Sequence, residues 1–212
     1  VDVVEGGSEA LVVEVVADPM IISGVSSSYL RANVSGGTGS YTYLWSPSSG
    51  LNNPNIQSPI ASPAETTTYT CTVVSGSESD AASVTIIVVL PPTDLSAGVD
   101  GANVELTWHA PDYVDTYNIY RDGELIASDV VDESYTDVGL GEGLYEYTVT
   151  SVYEDIESLS STIATAIVYD LTVTTYANPS IIGEGSQTAI SAHASGASGT
   201  VTYSWTPANS LD

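Results

Sequence analysis

Apolar and polar residues alternate along this chain over short stretches, and helical periodicity is nearly absent. Val, Ile, Thr and Tyr dominate these stretches, which turn residues interrupt roughly every ten positions. The pattern predicts an all-β protein whose first strands lie at 11–16, 28–34, 41–45, 67–74 and 83–90. Within 67–74, the alternation places Tyr69, Cys71 and Val73 on one face of a strand.

Loop residues separate these predicted strands. Gly, Ser, Asn and Pro are concentrated at 35–40, 46–55 and 75–80, which are therefore predicted loops. Pro91 and Pro92 mark a boundary, because consecutive prolines cannot extend a central strand. The connections between successive predicted domains are short, which favours a stiff array of domains over loosely tethered ones.

A second alternating pattern follows the two prolines. Val104, Leu106 and Trp108 share one predicted strand face, and a later strand places Tyr145, Tyr147 and Val149 together. Between them, Asp122-Gly123 predicts a type I′ hairpin turn.

A repeat with a period of 160 residues organises the chain. Residues 17–51 align with 177–211 without a gap, and 14 of the 35 positions are identical, including Trp45 and Trp205. The two copies are therefore expected to form the same strands, with tryptophans as core residues. The predicted organisation is an N-terminal arm (1–10), a β-sandwich (11–90), a second β-sandwich (91–168) and the first half of another sandwich (169–212).

Half a sandwich exposes an apolar sheet face to water, so the last segment is expected to be an assembly site. The residues expected to need cover are Ile181, Ile190, Tyr203 and Trp205. Two sources of cover remain open, namely the chain's own continuation and a strand from a neighbouring copy. The arm at 1–10 is the candidate donor for the second alternative.

Charge excludes several classes of partner. The chain has 27 acidic residues, two basic residues (Arg31 and Arg121) and a net charge of −25. Nucleic acids and anionic membrane surfaces would repel such a chain. No apolar run is long enough to span a bilayer. Neither nucleic-acid binding nor membrane insertion is therefore expected.

Few residues suggest chemistry, and the chain is predicted not to be an enzyme. His109 and His193 are interpreted as strand residues, and Cys71 as a buried, unreactive thiol. No nucleophile–base set, phosphate-binding loop or His-containing metal motif can be assembled from the sequence. No cofactor is expected apart from calcium.

Calcium and glycans are the two ligands that the sequence leaves open. Hard oxygen ligands suit Ca²⁺, and the candidates are Asp112, Asp115, Asp129 and Asp132, although a solvated acidic surface is the competing interpretation. Asn33-Val34-Ser35 is a sequon for N-linked sugar, and the Ser- and Thr-rich surface would tolerate O-linked sugar.

The motifs resemble two known families. Residues 11–90, with SGGTGSYTYLWSPSSGL and TTTYTCTVV, resemble polycystic-kidney-disease (PKD)-type immunoglobulin-like repeats of large surface proteins in bacteria with type IX secretion. They depart from better-known PKD domains, because Ser48-Ser49-Gly50 stands where Gly-Asp-Gly is usual. Residues 92–168, with VELTWHAP, YNIYRDG and YEYTVTSVY, resemble a fibronectin type III domain, with Tyr147 at the tyrosine-corner position.

The resemblance implies tandem immunoglobulin-like β-sandwiches: PKD-like, fibronectin type III-like and partial PKD-like. It implies a structural repeat of an extracellular fibre, stalk or adhesin on a bacterial surface, which assembles end to end through its incomplete terminal module. The expected partners are other copies, continued repeats of the same chain, and glycans. The alternative is a spacer or carbohydrate-binding accessory segment of a secreted hydrolase.

Overall fold

The described part of the chain consists of strands and loops. A computed structural model describes residues 9–178, 180–196 and 200–206, and 17 strands (β1 to β17) lie within them. The predicted all-β class, with β-sandwiches in tandem, is confirmed. No helix suited to crossing a membrane occurs in these ranges. Of the predicted arm at 1–10, residues 1–8 lie outside the described residues.

The first sandwich packs a three-stranded sheet against a four-stranded one. The first sheet has the order β1-β3-β5, and the second has the order β2-β7-β6-β4. All pairs are antiparallel except β2 with β7, which is parallel. The strands are β1 (Val12–Asp18), β2 (Ile21–Ser23), β3 (Ser28–Ser35), β4 (Thr42–Ser46), β5 (Ile60–Ala61), β6 (Thr67–Ser75) and β7 (Glu78–Val89).

Alternating residues from both sheets fill the core of the first sandwich. Tyr69, Cys71 and Val73 are fully buried on one face of β6, as their spacing predicts. Trp45 packs in the same cluster and donates a 2.9 Å hydrogen bond from Nε1 to the Ile56 carbonyl. This bond fixes the loop that follows β4 over the core.

Strand β7 begins earlier than the sequence predicts. The segment 75–80 was expected to be a loop, but Ser75 pairs with Glu78 and only Gly76 and Ser77 form the turn. The polar residues 78–80 are held in the strand because the β6–β7 hairpin continues to its tip. Their polarity reflects exposure and side-chain bonding to β1, not the absence of a strand.

The second sandwich has the same two-layer construction. Its smaller sheet has the order β12-β9-β8, and its larger sheet has the order β11-β10-β13-β14, with β15 also paired to β13. The strands are β8 (Thr93–Asp100), β9 (Asn103–His109), β10 (Thr116–Arg121), β11 (Glu124–Val130), β12 (Ser134–Asp137), β13 (Gly143–Tyr153), β14 (Ile156–Glu157) and β15 (Ala164–Val168).

The predicted faces and turn of the second sandwich are confirmed. Val104, Leu106 and Trp108 are buried on β9, and Tyr147 and Val149 on β13, with Tyr145 packed at the edge of this core. Asp122 and Gly123 both have positive φ, as a type I′ turn requires, and close the β10–β11 hairpin.

A third unit is a hairpin of β16 (Thr172–Asn178) and β17 (Ala189–Ser195). Its register runs from Thr172↔Ser195 to Asn178↔Ala189. In the first copy, β1 and β3 pair from Val12↔Ser35 to Asp18↔Tyr29. Adding 160 to each position of the first register yields the second register. The prediction that the two copies share strands is therefore confirmed for this hairpin.

A buried carboxylate anchors the second sandwich. The Asp137 Oδ2 atom accepts hydrogen bonds from Arg121 Nη1 at 2.7 Å and from the Tyr147 hydroxyl at 2.9 Å. Burial first, and then the neighbouring Asp137 carboxylate, raise the pKa of Tyr147. The Tyr147 hydroxyl thus ties strand β13 to β12 through a carboxylate.

Replacing Arg121 by Met is expected to leave the Asp137 carboxylate buried without its cation. We expect the free energy of unfolding of the second sandwich to fall by about 1–3 kcal/mol. Denaturation followed by hydrogen exchange of amides in β10 and β13 measures it. The control is Arg31→Met, on the exposed face of β3, which should change stability by less than about 0.5 kcal/mol. Equal effects of the two changes would contradict this role of Asp137.

Candidate functional site

The two copies of the repeat differ in what covers their inner faces. Leu11 is 8% exposed, whereas its counterpart Leu171 is 55% exposed. Trp45 is 1% exposed, whereas Trp205 is 36% exposed. The same backbone hairpin is therefore one layer of a closed sandwich in the first copy and an open sheet in the second. We call the surface formed by residues 171–178, 180–196 and 200–206 the open half-sheet.

Gly36 follows β3 and Gly196 follows β17, so the two glycines occupy equivalent positions in the repeat. Gly36 has a φ of +71°, and an added Cβ would stand 2.1 Å from the Ala10 carbonyl oxygen. Gly196 has a φ of +82°, and an added Cβ would stand 1.9 Å from the Asp170 carbonyl oxygen. The turn and the start of the first strand therefore approach each other closely enough that only glycine fits.

Gly36→Ala is expected to destabilise the first sandwich by about 3 kcal/mol, since it adds a backbone clash to an unfavourable φ. The matched control is Gly39→Ala, where φ is +84° and no atom lies within 4 Å of an added Cβ. Only the φ penalty of about 1 kcal/mol applies there. Urea denaturation with exchange of first-sandwich amides measures both variants, and a larger effect at Gly39 would contradict the close approach.

The predicted assembly residues lie on the open half-sheet, and they are exposed. Ile181, Ile190 and Tyr203 are exposed, and Trp205 lies at the margin of exposure. The Tyr203 hydroxyl accepts a 3.2 Å hydrogen bond from the Ala194 amide. This bond holds the 200–206 segment beside β17.

Two expectations for the second copy are wrong in the described structure. Residues 202–206 do not form the counterpart of β4, and Trp205 is not a buried core residue. In the first copy, β4 is a strand because it pairs with β6, with Trp45 opposite Cys71. Among the described residues, no strand pairs with segment 202–206.

Two carboxylates lie along the edge of the first sandwich. The Leu11 amide donates to Glu78 Oε2 at 2.9 Å, and the Val13 amide donates to Asp80 Oδ2 at 2.8 Å. These bonds lock the start of β7 against the edge of β1. No local sequence pattern predicts these bonds, because each carboxylate lies 67 positions from the amide that it accepts.

Polar contacts join the first and second sandwiches at two points. The Ser23 hydroxyl donates to the Glu157 carbonyl at 2.8 Å, and the Ser151 hydroxyl donates to the Leu90 carbonyl. Leu159 packs over Gly24, where an added Cβ would lie 3.3 Å from Leu159 Cδ2. Because these contacts add to the covalent connection at Pro91, they oppose bending between the sandwiches.

Three hydrogen bonds hold the side chain of Glu157 in place. Its Oε1 atom accepts hydrogen bonds from Thr150 at 2.5 Å, Tyr120 at 2.7 Å and Asn118 at 3.0 Å. Burial alone would raise the pKa of Glu157, but these three hydrogen bonds outweigh it and hold the pKa below its ordinary 4.5. The Glu157 carboxylate therefore positions the backbone that Ser23 contacts.

Because the pKa of Glu157 is lower in the folded state, its stabilising contribution is complete above pH 4.5 and is lost as the pH falls through the folded value. Glu157→Gln should therefore be less stable than the natural chain at pH 7, and the difference should shrink towards pH 3. Thermal unfolding across this range measures it. Glu124→Gln, on the exposed side of β11, is the control and should leave the stability at pH 7 unchanged. A constant gap for Glu157→Gln would contradict this role.

The calcium candidates are dispersed in the second sandwich. Among the described residues, no group of three or more His, Cys, Asp or Glu side chains is placed to hold a metal ion. Asp112 lines a cleft beside Pro91, whereas Asp115 accepts a 3.0 Å hydrogen bond from the Glu154 amide. Asp129 accepts from the Ser128 hydroxyl at 3.1 Å, and Asp132 is exposed. The structure does not bring these four carboxylates together.

The remaining candidates are single exposed or buried residues. Asn33 is exposed on β3, where a glycan would project from the sheet. His109 lies on β9 with Nδ1 3.4 Å from the Asp94 carboxylate, and His193 is exposed on β17. Cys71 is fully buried, and burial raises the pKa of its thiol to about 11, so it is protonated at neutral pH.

Comparisons with known proteins find similar domains. No protein-family model matches the chain. A 72-residue segment is 42% identical to an amylopullulanase of Thermoanaerobacter thermohydrosulfuricus, and the match covers 31% of the chain but only 5% of that enzyme. A Fn3-like protein from Clostridium thermocellum is 35% identical over 36% of this chain and 90% of its own, with a TM-score of 0.35. Titin domains are 13% identical over 76% of this chain and 67% of theirs, with a TM-score of 0.42. The chain is thus similar to proteins built from immunoglobulin-like and fibronectin type III-like domains.

Proposed function

We propose that this chain is a non-enzymatic structural segment of an extracellular array on a bacterial surface, such as a fibre, stalk or adhesin. The observation that carries the proposal is the 160-residue repeat, whose two copies share one strand register. A repeat unit that keeps the same strand register is suited to building a long array. The PKD-type and fibronectin type III-like modules alternate in this array, and proteins of bacteria with type IX secretion are its proposed setting.

The joint between the first two sandwiches supports a mechanical role. Two hydroxyl–carbonyl contacts and the packing of Leu159 on Gly24 resist bending between the two sandwiches. The orientation of one sandwich therefore constrains the orientation of the next. A net charge of −25 keeps such arrays soluble and apart from one another. The proposed partners are neighbouring repeat units, in the same chain or in another copy, and surface glycans.

The stiffness of the joint tests this function. Spin labels at Ser58→Cys and Glu124→Cys, both exposed, report the distance between the two sandwiches, while the buried Cys71 stays unlabelled. We expect a narrow distance distribution that broadens in the double variant Ser23→Ala, Ser151→Ala. The control is Thr68→Ala, because that hydroxyl bonds Thr85 within one sandwich. A broad distribution in the otherwise natural chain would contradict the stiff-array proposal.

A second candidate is an accessory segment of a hydrolase, which the 42% identity to an amylopullulanase favours. In that role the chain spaces a catalytic domain or binds polysaccharide through exposed aromatic residues such as Tyr203 and Trp205. Electrophoresis through gels that contain pullulan tests it. Retardation that Trp205→Ala abolishes would favour this candidate over the structural one.

A further inference from the structure

A cleft lies between the first and second sandwiches, beside the connection at Pro91. Its volume of about 520 Å³ falls within the range of clefts that hold small ligands, and junctions between domains are a common place for such clefts. Thr66 and Leu90 line it from the first sandwich, and Thr93 and Asp112 line it from the second. A group that fills this cleft therefore contacts both sandwiches at once.

Much of the lining is apolar. Val88, Leu90, Pro91 and Pro111 all face the cleft, and Leu90 is 39% exposed. The buried Val88 is held in place because its amide donates a 3.0 Å hydrogen bond to Thr66 Oγ1. Neither proline has an N–H group to offer to water or to a polar ligand. This part of the cleft is therefore suited to a hydrocarbon group.

Two carboxylates also line the cleft, one from each sandwich. Glu65 and Asp112 are both exposed, and neither forms an ion pair within the described ranges. Of the two basic residues of the chain, Arg121 is bonded to Asp137, and Arg31 lies on β3, which does not line the cleft. The carboxylates of the cleft therefore favour a positively charged group from another molecule.

The backbone next to Asp112 is held firmly. Tyr113 has a φ of +57°, which is unusual for a bulky residue, and its ring packs edge-on against Tyr153 with the ring centroids 5.7 Å apart. Two residues later, the Asp115 amide donates a 2.8 Å hydrogen bond to the Val152 carbonyl. The segment that carries Asp112 is thus ordered before a ligand arrives, which lowers the entropic cost of binding.

The combination of apolar lining and carboxylates selects a class of ligand. A metal ion would leave the apolar lining unused, and no group of three or more His, Cys, Asp or Glu side chains among the described residues is placed to hold one. A neutral apolar molecule would leave both carboxylates unpaired. A lysine side chain fits both parts of the cleft, because it carries an ammonium group at the end of a flexible four-carbon arm.

We propose that this cleft binds a lysine side chain of a basic partner protein. The hydrocarbon arm packs against Leu90 and the two prolines, and the ammonium group bonds to Glu65 and Asp112. The net charge of −25 attracts such a partner at long range, so binding weakens as the concentration of monovalent salt rises. The cleft needs only the joint between the first two sandwiches, whether the chain builds an array or serves a hydrolase.

Three short peptides added to the full chain test the two parts of the cleft separately. The first is acetyl-Gly-Lys-Gly-amide, and we expect it to cause saturable shifts of the Thr66, Leu90, Thr93 and Asp112 amide resonances. The second has norleucine in place of lysine, lacks the charge and should bind about fivefold more weakly. The third has 2,4-diaminobutyric acid, which keeps the charge in slightly acidic buffer but shortens the arm. It should also bind about fivefold more weakly.

Variants of the chain show whether binding occurs in the cleft. The double variant Glu65→Gln, Asp112→Asn should reduce the affinity for the lysine peptide to that for the norleucine peptide, and should leave the latter unchanged. The matched control is Glu124→Gln, Asp100→Asn, which removes the same charge at exposed positions outside the cleft. The control variant should bind the lysine peptide as the natural chain does.

Four outcomes would overturn the proposal. The diaminobutyric acid peptide binding as tightly as the lysine peptide would show general attraction to an acidic chain, and equally tight binding of the norleucine peptide would show an apolar site without charge selection. Equal losses of affinity in the cleft variant and its control would place binding elsewhere. Displacement of the lysine peptide by micromolar calcium would assign the carboxylates to a metal ion.

Discussion

An apolar sheet face must be covered by a second sheet, and the rest of this structure depends on that constraint. In the first sandwich, Trp45 is buried because β6 pairs with β4 on one side and the loop between β4 and β5 closes over the indole on the other. In the third unit, the same hairpin register forms without that second layer, and Trp205 stays accessible. Local pairing alone is thus enough to set a hairpin register, but not to bury its apolar face.

Hydrogen bonds from neutral donors accommodate many of the acidic side chains. Only two basic residues are available, so most carboxylates have no cation to pair with. Glu78 and Asp80 accept backbone amides, and Glu157 accepts two hydroxyls and one amide group. Among the described carboxylates, Asp137 is the exception that receives a guanidinium, and it is buried. Donors to a carboxylate need not be charged for the bond to be strong.

The joint between the first two sandwiches uses the same chemistry. Ser23 and Ser151 bond to carbonyl oxygens across the boundary, and Glu157 connects the joint to the larger sheet of the second sandwich. Each contact is small, but together the contacts add to the covalent connection at the two prolines. Mechanical stiffness in such an array arises from several weak contacts that bending must break together.

The sequence by itself determined the strands, their inner faces and the repeat. Period-two alternation located Tyr69, Cys71 and Val73, the Asp122-Gly123 turn required positive φ, and the 160-residue offset predicted the β16–β17 register. These are local properties, which short-range sterics and alternation control. Tertiary structure alone decided that Glu78 and Asp80 lie in a strand, that Ser23 meets Glu157, and that Trp205 is exposed while Trp45 is not. Each of these depends on a segment far away in the chain, or on whether a covering layer is present at all, and no local pattern carries that information.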